Sequence, residues 1–125
     1  HLQRHNIAPI FLLAPTTNEA RIAQVAKLAR GYVYYVSLKG VTGAGNLDLS
    51  AIEQKMPQLR KHISLPIGVG FGIRDAATAK AVSALCDGVV VGSRIVQEIE
   101  KSDEHNVVAH VGRLVNELRL ALDKE

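Results

Sequence analysis

The residues of this chain best suited to chemistry are glycines and the small polar groups beside them. Three segments stand out: Ser37-Leu38-Lys39-Gly40-Val41-Thr42-Gly43-Ala44-Gly45-Asn46, Gly70-Phe71-Gly72-Ile73 and Gly92-Ser93-Arg94. Each follows a short apolar run. Glycine lets backbone N–H groups approach a ligand closely, and a helix starting just afterwards adds further donors and the positive end of its dipole. That is the chemistry of anion binding. Gly72 and Ile73 offer amides ahead of a helix expected from Asp75, and Gly92-Ser93 adds a hydroxyl at the start of another. The first segment is too long and too glycine-rich for a plain connector and reads as a lid. Any one of these turns alone would more often serve backbone geometry, but their recurrence after successive strands favours a phosphate site. Gly68-Val69-Gly70-Phe71-Gly72 has the spacing GxGxG and lacks the GxGxxG of dinucleotide binding.

The remaining reactive residues carry weaker signals. A single cysteine, Cys86, excludes an internal disulfide and a multi-cysteine zinc site, and reads as a packing residue. His5, His62, His105 and His110 occur singly; only His105 and His110, five apart, have metal-ligand spacing, and they fall on different helix faces, so no metal is implied. Lys39 and Arg74 could assist an anion electrostatically, although solvated side chains are the simpler reading. Asp75 reads as a helix N-cap. Tyr34 on a strand is by default a core aromatic, with pocket lining suggested by the loop that follows.

The elements that must position these turns alternate. Ile7–Leu13, Tyr32–Val36, Pro66–Phe71 and Val89–Val91 read as parallel strands apolar on both faces. Between them run helical periods. The first carries Ile22, Val25, Ala26 and Ala29 behind a capping box of Thr16 with Glu19, with Gly31 supplying its C-terminal turn. The second carries Ile52, Met56, Leu59 and Ile63, with Ser50 and Glu53 as its cap and Pro57 imposing a kink or a late start. A third runs from Asp75 to about Leu85, and a short fourth begins at Ser93. The last shows the stripe Val107, Val111, Leu114, Leu118 and Leu122. The order β-α-β-α-β-α-β-α-α implies an α/β fold with a parallel sheet and right-handed crossovers.

Composition narrows the class. The chain has 125 residues, 47% hydrophobic and 22% charged, with 15 Lys and Arg against 12 Asp and Glu for a net +3. That suits one packed domain spanning residues 1–125. The basic residues are spread along the chain, which argues against nucleic acid. No apolar run approaches the roughly 18 residues of a membrane span, and no signal peptide is legible, so no membrane is expected and the cytoplasm is the default. The chain begins at His1 without methionine, which reads as processing or as a piece of something longer.

Ala8-Pro9-Ile10-Phe11, Gly31-Tyr32-Val33-Tyr34, Ser37 through Gly43 as SLKGVTG, Gly70-Phe71-Gly72-Ile73 and Gly92-Ser93-Arg94-Ile95-Val96, in this order, resemble the tryptophan synthase alpha chain family. The match runs over nearly the whole length, and Tyr-x-x-Ser-x-x-Gly-Val-Thr-Gly is its most specific part. The resemblance implies a TIM barrel, eight βα units of which this chain would supply the fifth to eighth, a C-terminal half-barrel. It implies retro-aldol cleavage of indole-3-glycerol phosphate to indole and glyceraldehyde 3-phosphate, with no cofactor in this subunit. The pyridoxal-phosphate-dependent beta chain would be the partner. Gly43, Gly72, Gly92 and Ser93 would hold the substrate phosphate, and Thr42 would sit on the closing loop. Leu12, Tyr34, Phe71 and Val90 would line the pocket. The family's catalytic glutamate and aspartate have no counterpart here, so the chain alone is expected to be inactive.

The alternatives are a non-catalytic phosphate-binding half-barrel that pairs with its own copy, and another phosphosugar enzyme, which would lack the SLKGVTG loop. Half a barrel would leave two strand edges unpaired, so self-association or a complementing second chain is expected.

Overall fold

A computed structural model of the chain describes residues 2–37, 48–70 and 72–123. After a 3-10 turn at Leu2–His5 come β1 (Phe11–Leu13), α1 (Glu19–Leu28), β2 (Val33–Val36), α2 (Leu49–His62), β3 (Ile67–Gly70), α3 (Ala76–Ser83), β4 (Gly88–Val90), α4 (Ser93–Glu100) and α5 (Val107–Asp123). The strands form one parallel sheet in the order β1-β2-β3-β4. Each strand lies beside its predecessor, as right-handed βα units place it.

Alternation along the strands sorts the side chains by face. Leu13, Val33, Tyr35, Ile67 and Val69 are buried under the helices, together with Ile22, Ile52, Leu59, Ala79 and Val82. Leu12, Tyr34, Gly68 and Gly88 share a register on the opposite side. There Leu12 is 67% exposed, so the expectation of strands buried on both faces holds only for β3. α5 buries Leu114 and Leu118 of its expected stripe and packs on α3 and α4.

Several expected boundaries are corrected. Thr16 and Glu19 form no capping box: Thr17 Oγ1 accepts from Ala14 N at 2.9 Å to close a turn, and Asn18 caps α1 by accepting from Arg21 N. The helix ends with Ala29 in an extended conformation, so Gly31, at φ +75°, serves the turn into β2 instead of the helix cap. Ser50 and Glu53 do not cap α2. Asp48 does, accepting from Ala51 N at 3.0 Å while Ser50 Oγ donates to its carboxylate.

Nor does Pro57 delay that helix, which starts at Leu49 and runs on to His62. Pro57 and Glu53, whose carbonyl loses its donor, both lie on the solvent side, where water can satisfy that oxygen. β1 is shorter than expected because Ile7 and Ala8 lie exposed outside the sheet. β3 ends at Gly70, β4 covers Gly88–Val90, and α3 stops at Ser83. Asp75 caps α3 as expected, accepting from Thr78 N at 2.7 Å.

Polar contacts pin the far end of the sheet. The Asp87 carboxylate accepts from Ile67 N at 2.7 Å and pairs with Arg60, tying α2 to β3 and β4. Those bonds hold its carboxyl below the usual carboxylate range. On the surface Glu19 takes both Lys61 and His62, which hold it at about 2.

Candidate functional site

The carboxyl ends of β2, β3 and β4 open onto one cavity of about 420 Å³, within the range of small-molecule sites. Tyr34 and Val90 supply its apolar wall, and Gly72, Gly92 and Ser93 its glycine and hydroxyl groups. Ile73, Arg74, Arg94 and Gln97 complete it. The structure thus brings together Tyr34, Gly72, Val90, Gly92 and Ser93, singled out from sequence on or just after three different strands. Leu12 lies on the same face, paired in register with Tyr34, but outside this cavity. Gly43, Thr42 and Phe71 lie outside the described residues.

Local geometry explains the residue types. Gly72 sits at φ +80°, a conformation that side-chain-bearing residues rarely adopt, so the chain can turn sharply from β3 toward α3. Gly70 is glycine for another reason: a Cβ there would overlap the Tyr34 hydroxyl and come within 2.6 Å of Tyr34 Cζ and 3.1 Å of Val90 Cβ. Tyr34 therefore lies across the strand tip over Gly70, filling space that any larger residue would take. Burial, with Tyr32 adding to it, pushes the Tyr34 phenol above its ordinary value, so at neutral pH it remains a hydrogen-bond donor.

The two helices that start here differ. The first turn of α3 already carries an anion, because Asp75 caps it and is held below its usual range chiefly by the bond from Thr78. The start of α4 has none. Its N-cap is Gly92, with no side-chain hydrogen bond, and Gly92 O accepts from Ile95 N at 2.9 Å and Val96 N at 3.2 Å. The N–H groups of Ser93 and Arg94 open the helix with no carbonyl one turn earlier to receive them. The positive end of α4 is available to a ligand anion in a way that the start of α3 is not.

Sequence reasoning missed Arg94 and Gln97 and took Arg74 for a solvated side chain. Arg74 is exposed, yet it lines the cavity. Arg94 Nη1 donates to Glu98 Oε2 at 2.7 Å within α4. The usable signal was helical spacing: Gln97 lies four residues beyond Ser93 and three beyond Arg94, and so shares a side of the helix with both.

The other candidates lie elsewhere. Cys86 Sγ lies 3.3 Å from Val82 O and 3.1 Å from Gly88 O, and burial pushes its thiol up, away from reactivity. His110 Nδ1 meets Ser102 Oγ at 2.9 Å, joining α5 to the end of α4. Among the described residues no group of His, Cys, Asp and Glu could hold a metal ion, and no helix is long and apolar enough to cross a membrane.

Comparison with known proteins gives this geometry a family. The family profile described as "Tryptophan synthase alpha chain" matches residues 1–122. Curated relatives of that name from Nitrosospira multiformis and Nitrosomonas europaea are 62% and 60% identical over 98% of this chain, which spans 44% and 45% of their lengths. Among solved structures, tryptophan synthase subunit alpha from Legionella pneumophila superposes with a TM-score of 0.80 at 32% identity, over 97% of this chain and 44% of that one. Mycobacterium tuberculosis tryptophan synthase gives a TM-score of 0.83 at 30% identity, over 99% and 45%. The chain thus spans less than half the length of these relatives, and its four parallel βα units make up half of a TIM barrel. With the profile covering almost its whole length, this chain belongs to the tryptophan synthase alpha chain family.

Proposed function

We propose that residues 1–125 are a single unit equivalent to the C-terminal half of a tryptophan synthase alpha subunit, carrying its phosphate site and much of its substrate pocket. The reaction served is the retro-aldol cleavage of indole-3-glycerol phosphate to indole and glyceraldehyde 3-phosphate in tryptophan biosynthesis. One observation carries the reading: Gly72, Gly92 and Ser93 border one cavity with Tyr34 and Val90 at the carboxyl ends of β2 to β4, where barrel enzymes bind phosphate. In this reading the N–H groups at the start of α4 and the Ser93 hydroxyl hold the phosphate, joined by Gly43 from the loop that carries Thr42. Tyr34, Phe71, Val90 and Leu12 face the indole and glycerol portions.

Releasing indole requires protonating a ring carbon and removing a hydroxyl proton, work for positioned acids and bases. Among the described residues the cavity wall contains arginines, glycines, a serine, a glutamine and a tyrosine but no carboxylate. The family's glutamate and aspartate belong to the other half of the barrel. That half, or a second copy of this chain, would cover the open face of the sheet and pair the edges of β1 and β4. The assembled subunit would hand indole to the pyridoxal-phosphate-dependent beta chain, in the cytoplasm.

The test is indole release from indole-3-glycerol phosphate by the chain alone and after mixing with a separately produced N-terminal half of a family member. The expected result is none alone and turnover in the mixture. Indole from a pure, single-species preparation of the chain would overturn the placement of the acids outside it.

A further inference from the structure

The cavity carries more positive charge than its glycine turns explain. Arg74 and Arg94 both line it, the first just before the cap of α3 and the second in the first turn of α4. Both therefore stand at positive helix ends, where a cation is disfavoured. Arg94 also precedes its partner Glu98 by four residues, the less favourable order for such a pair. No acidic side chain lines the cavity among the described residues. Asp75, beside Arg74 in sequence, and Glu98, one turn beyond Arg94, are already engaged, the first on the Thr78 amide and the second on Arg94 itself. Two arginines, a helix start without a side-chain cap and a positive-φ glycine turn thus border one cavity, an arrangement that suits an anion.

We infer that Arg74 and Arg94 make this cavity selective for a doubly charged phosphate monoester over singly charged anions, with Glu98 tempering that selectivity. The inference rests on the phosphate reading above and deepens it. Neutral donors in the backbone and at Ser93 supply geometry, and they bind a monoanion and a dianion through the same contacts. Fixed cations reward the second charge. Arg94 has five N–H donors, so one can remain on Glu98 while others turn to a ligand. Glu98 orients the guanidinium and also cancels part of its charge.

Glycerol phosphate and dimethyl phosphate, a dianion and a monoanion at pH 8, are titrated into the 125-residue chain while the Gly72 and Gly92 amide resonances are followed. Glycerol phosphate should bind the tighter of the two. Arg74→Gln and Arg94→Gln should each weaken glycerol phosphate about fivefold, the size of one screened unit charge, and narrow its advantage. Glu98→Gln keeps an acceptor for Arg94 but removes a negative charge, so it should move affinity the other way, by about twofold to threefold. That opposite sign separates the charge effect from damage to α4. If glycerol phosphate binds but an arginine variant leaves both affinity and preference unchanged, the assignment fails for that arginine and the glycine site stands. If Glu98→Gln weakens binding, Glu98 serves by orientation alone and its tempering role is overturned. If neither amide responds to glycerol phosphate, this inference and the phosphate reading fall together.

Discussion

The two faces of the sheet are built to different rules. Toward the helices, Val33, Tyr35, Ile67 and Val69 are fully buried. Toward the open side Leu12 is 67% and Val90 36% exposed, and β3 presents only Gly68 and Gly70. Tyr32 and Tyr34 cover those two glycines, with rings and hydroxyl in place of aliphatic packing. One face therefore holds the units together. The other keeps space, glycine backbone and aromatic surface for a ligand and for the rest of a barrel, and contributes less to the stability of this chain.

The sharpest way to break the contrast is to truncate a leucine on each side. Leu59, on α2, is completely buried, and Leu59→Ala should cost about 2–5 kcal/mol through lost transfer energy and an unfilled cavity. Leu12→Ala removes a side chain already mostly in water and should change stability by no more than about 0.5 kcal/mol. Urea unfolding of both variants gives the comparison, and similar losses would mean that the open face is covered in solution.

A second variant tests the open face where it is tightest. Gly70→Ala places a methyl group against the Tyr34 hydroxyl on one side and Val90 on the other, and overpacking of this kind costs about 1–3 kcal/mol. Combined with Tyr34→Ala, most of that cost should vanish, since the obstructing ring is gone. A double-mutant cycle reads the coupling directly. Additive effects would show that Tyr34 does not lie over Gly70.

Much of this organisation was legible in the sequence, and the failures share a cause. Strand and helix order followed from hydrophobic period, and Asp75 and Ser93 marked their helix starts correctly because each stands immediately before or at a first turn with no competitor nearby. Thr16 and Ser50 were chosen as caps although Asn18 and Asp48, each with a better acceptor, stood two residues away. Thr17 and Ser50 spend their hydroxyls on a local turn and on Asp48. Pro57 misled because its cost depends on which side of the helix loses a donor, and sequence alone does not weigh that. The glycines of the site were legible since turns after strands have few other uses in combination. Arg74 and Arg94 were not, because an arginine near a surface is ordinarily solvated, and only the convergence of two helix starts gives these two a shared space.

The adjacent tyrosines reduce the comparison to a single atom. Tyr34 and Tyr35 point to opposite faces. Tyr35 is fully buried, and its hydroxyl has no hydrogen-bond partner among the described residues. Burial, with Asp48 adding to it, pushes its phenol above the ordinary value, so the group stays a neutral hydroxyl whose desolvation no described residue offsets. Tyr35→Phe keeps the ring and removes only that oxygen. Since an unsatisfied buried hydroxyl costs about 1–3 kcal/mol, and the small void left behind returns part of it, the variant should be more stable by up to about 1 kcal/mol. Tyr34→Phe, on the half-buried side, should leave stability within about 0.5 kcal/mol and report instead on ligand binding through the lost donor. A loss of more than about 1 kcal/mol in Tyr35→Phe, measured by urea unfolding, would mean that the oxygen is satisfied in the folded chain and that the helix-side core contains a polar contact essential to it.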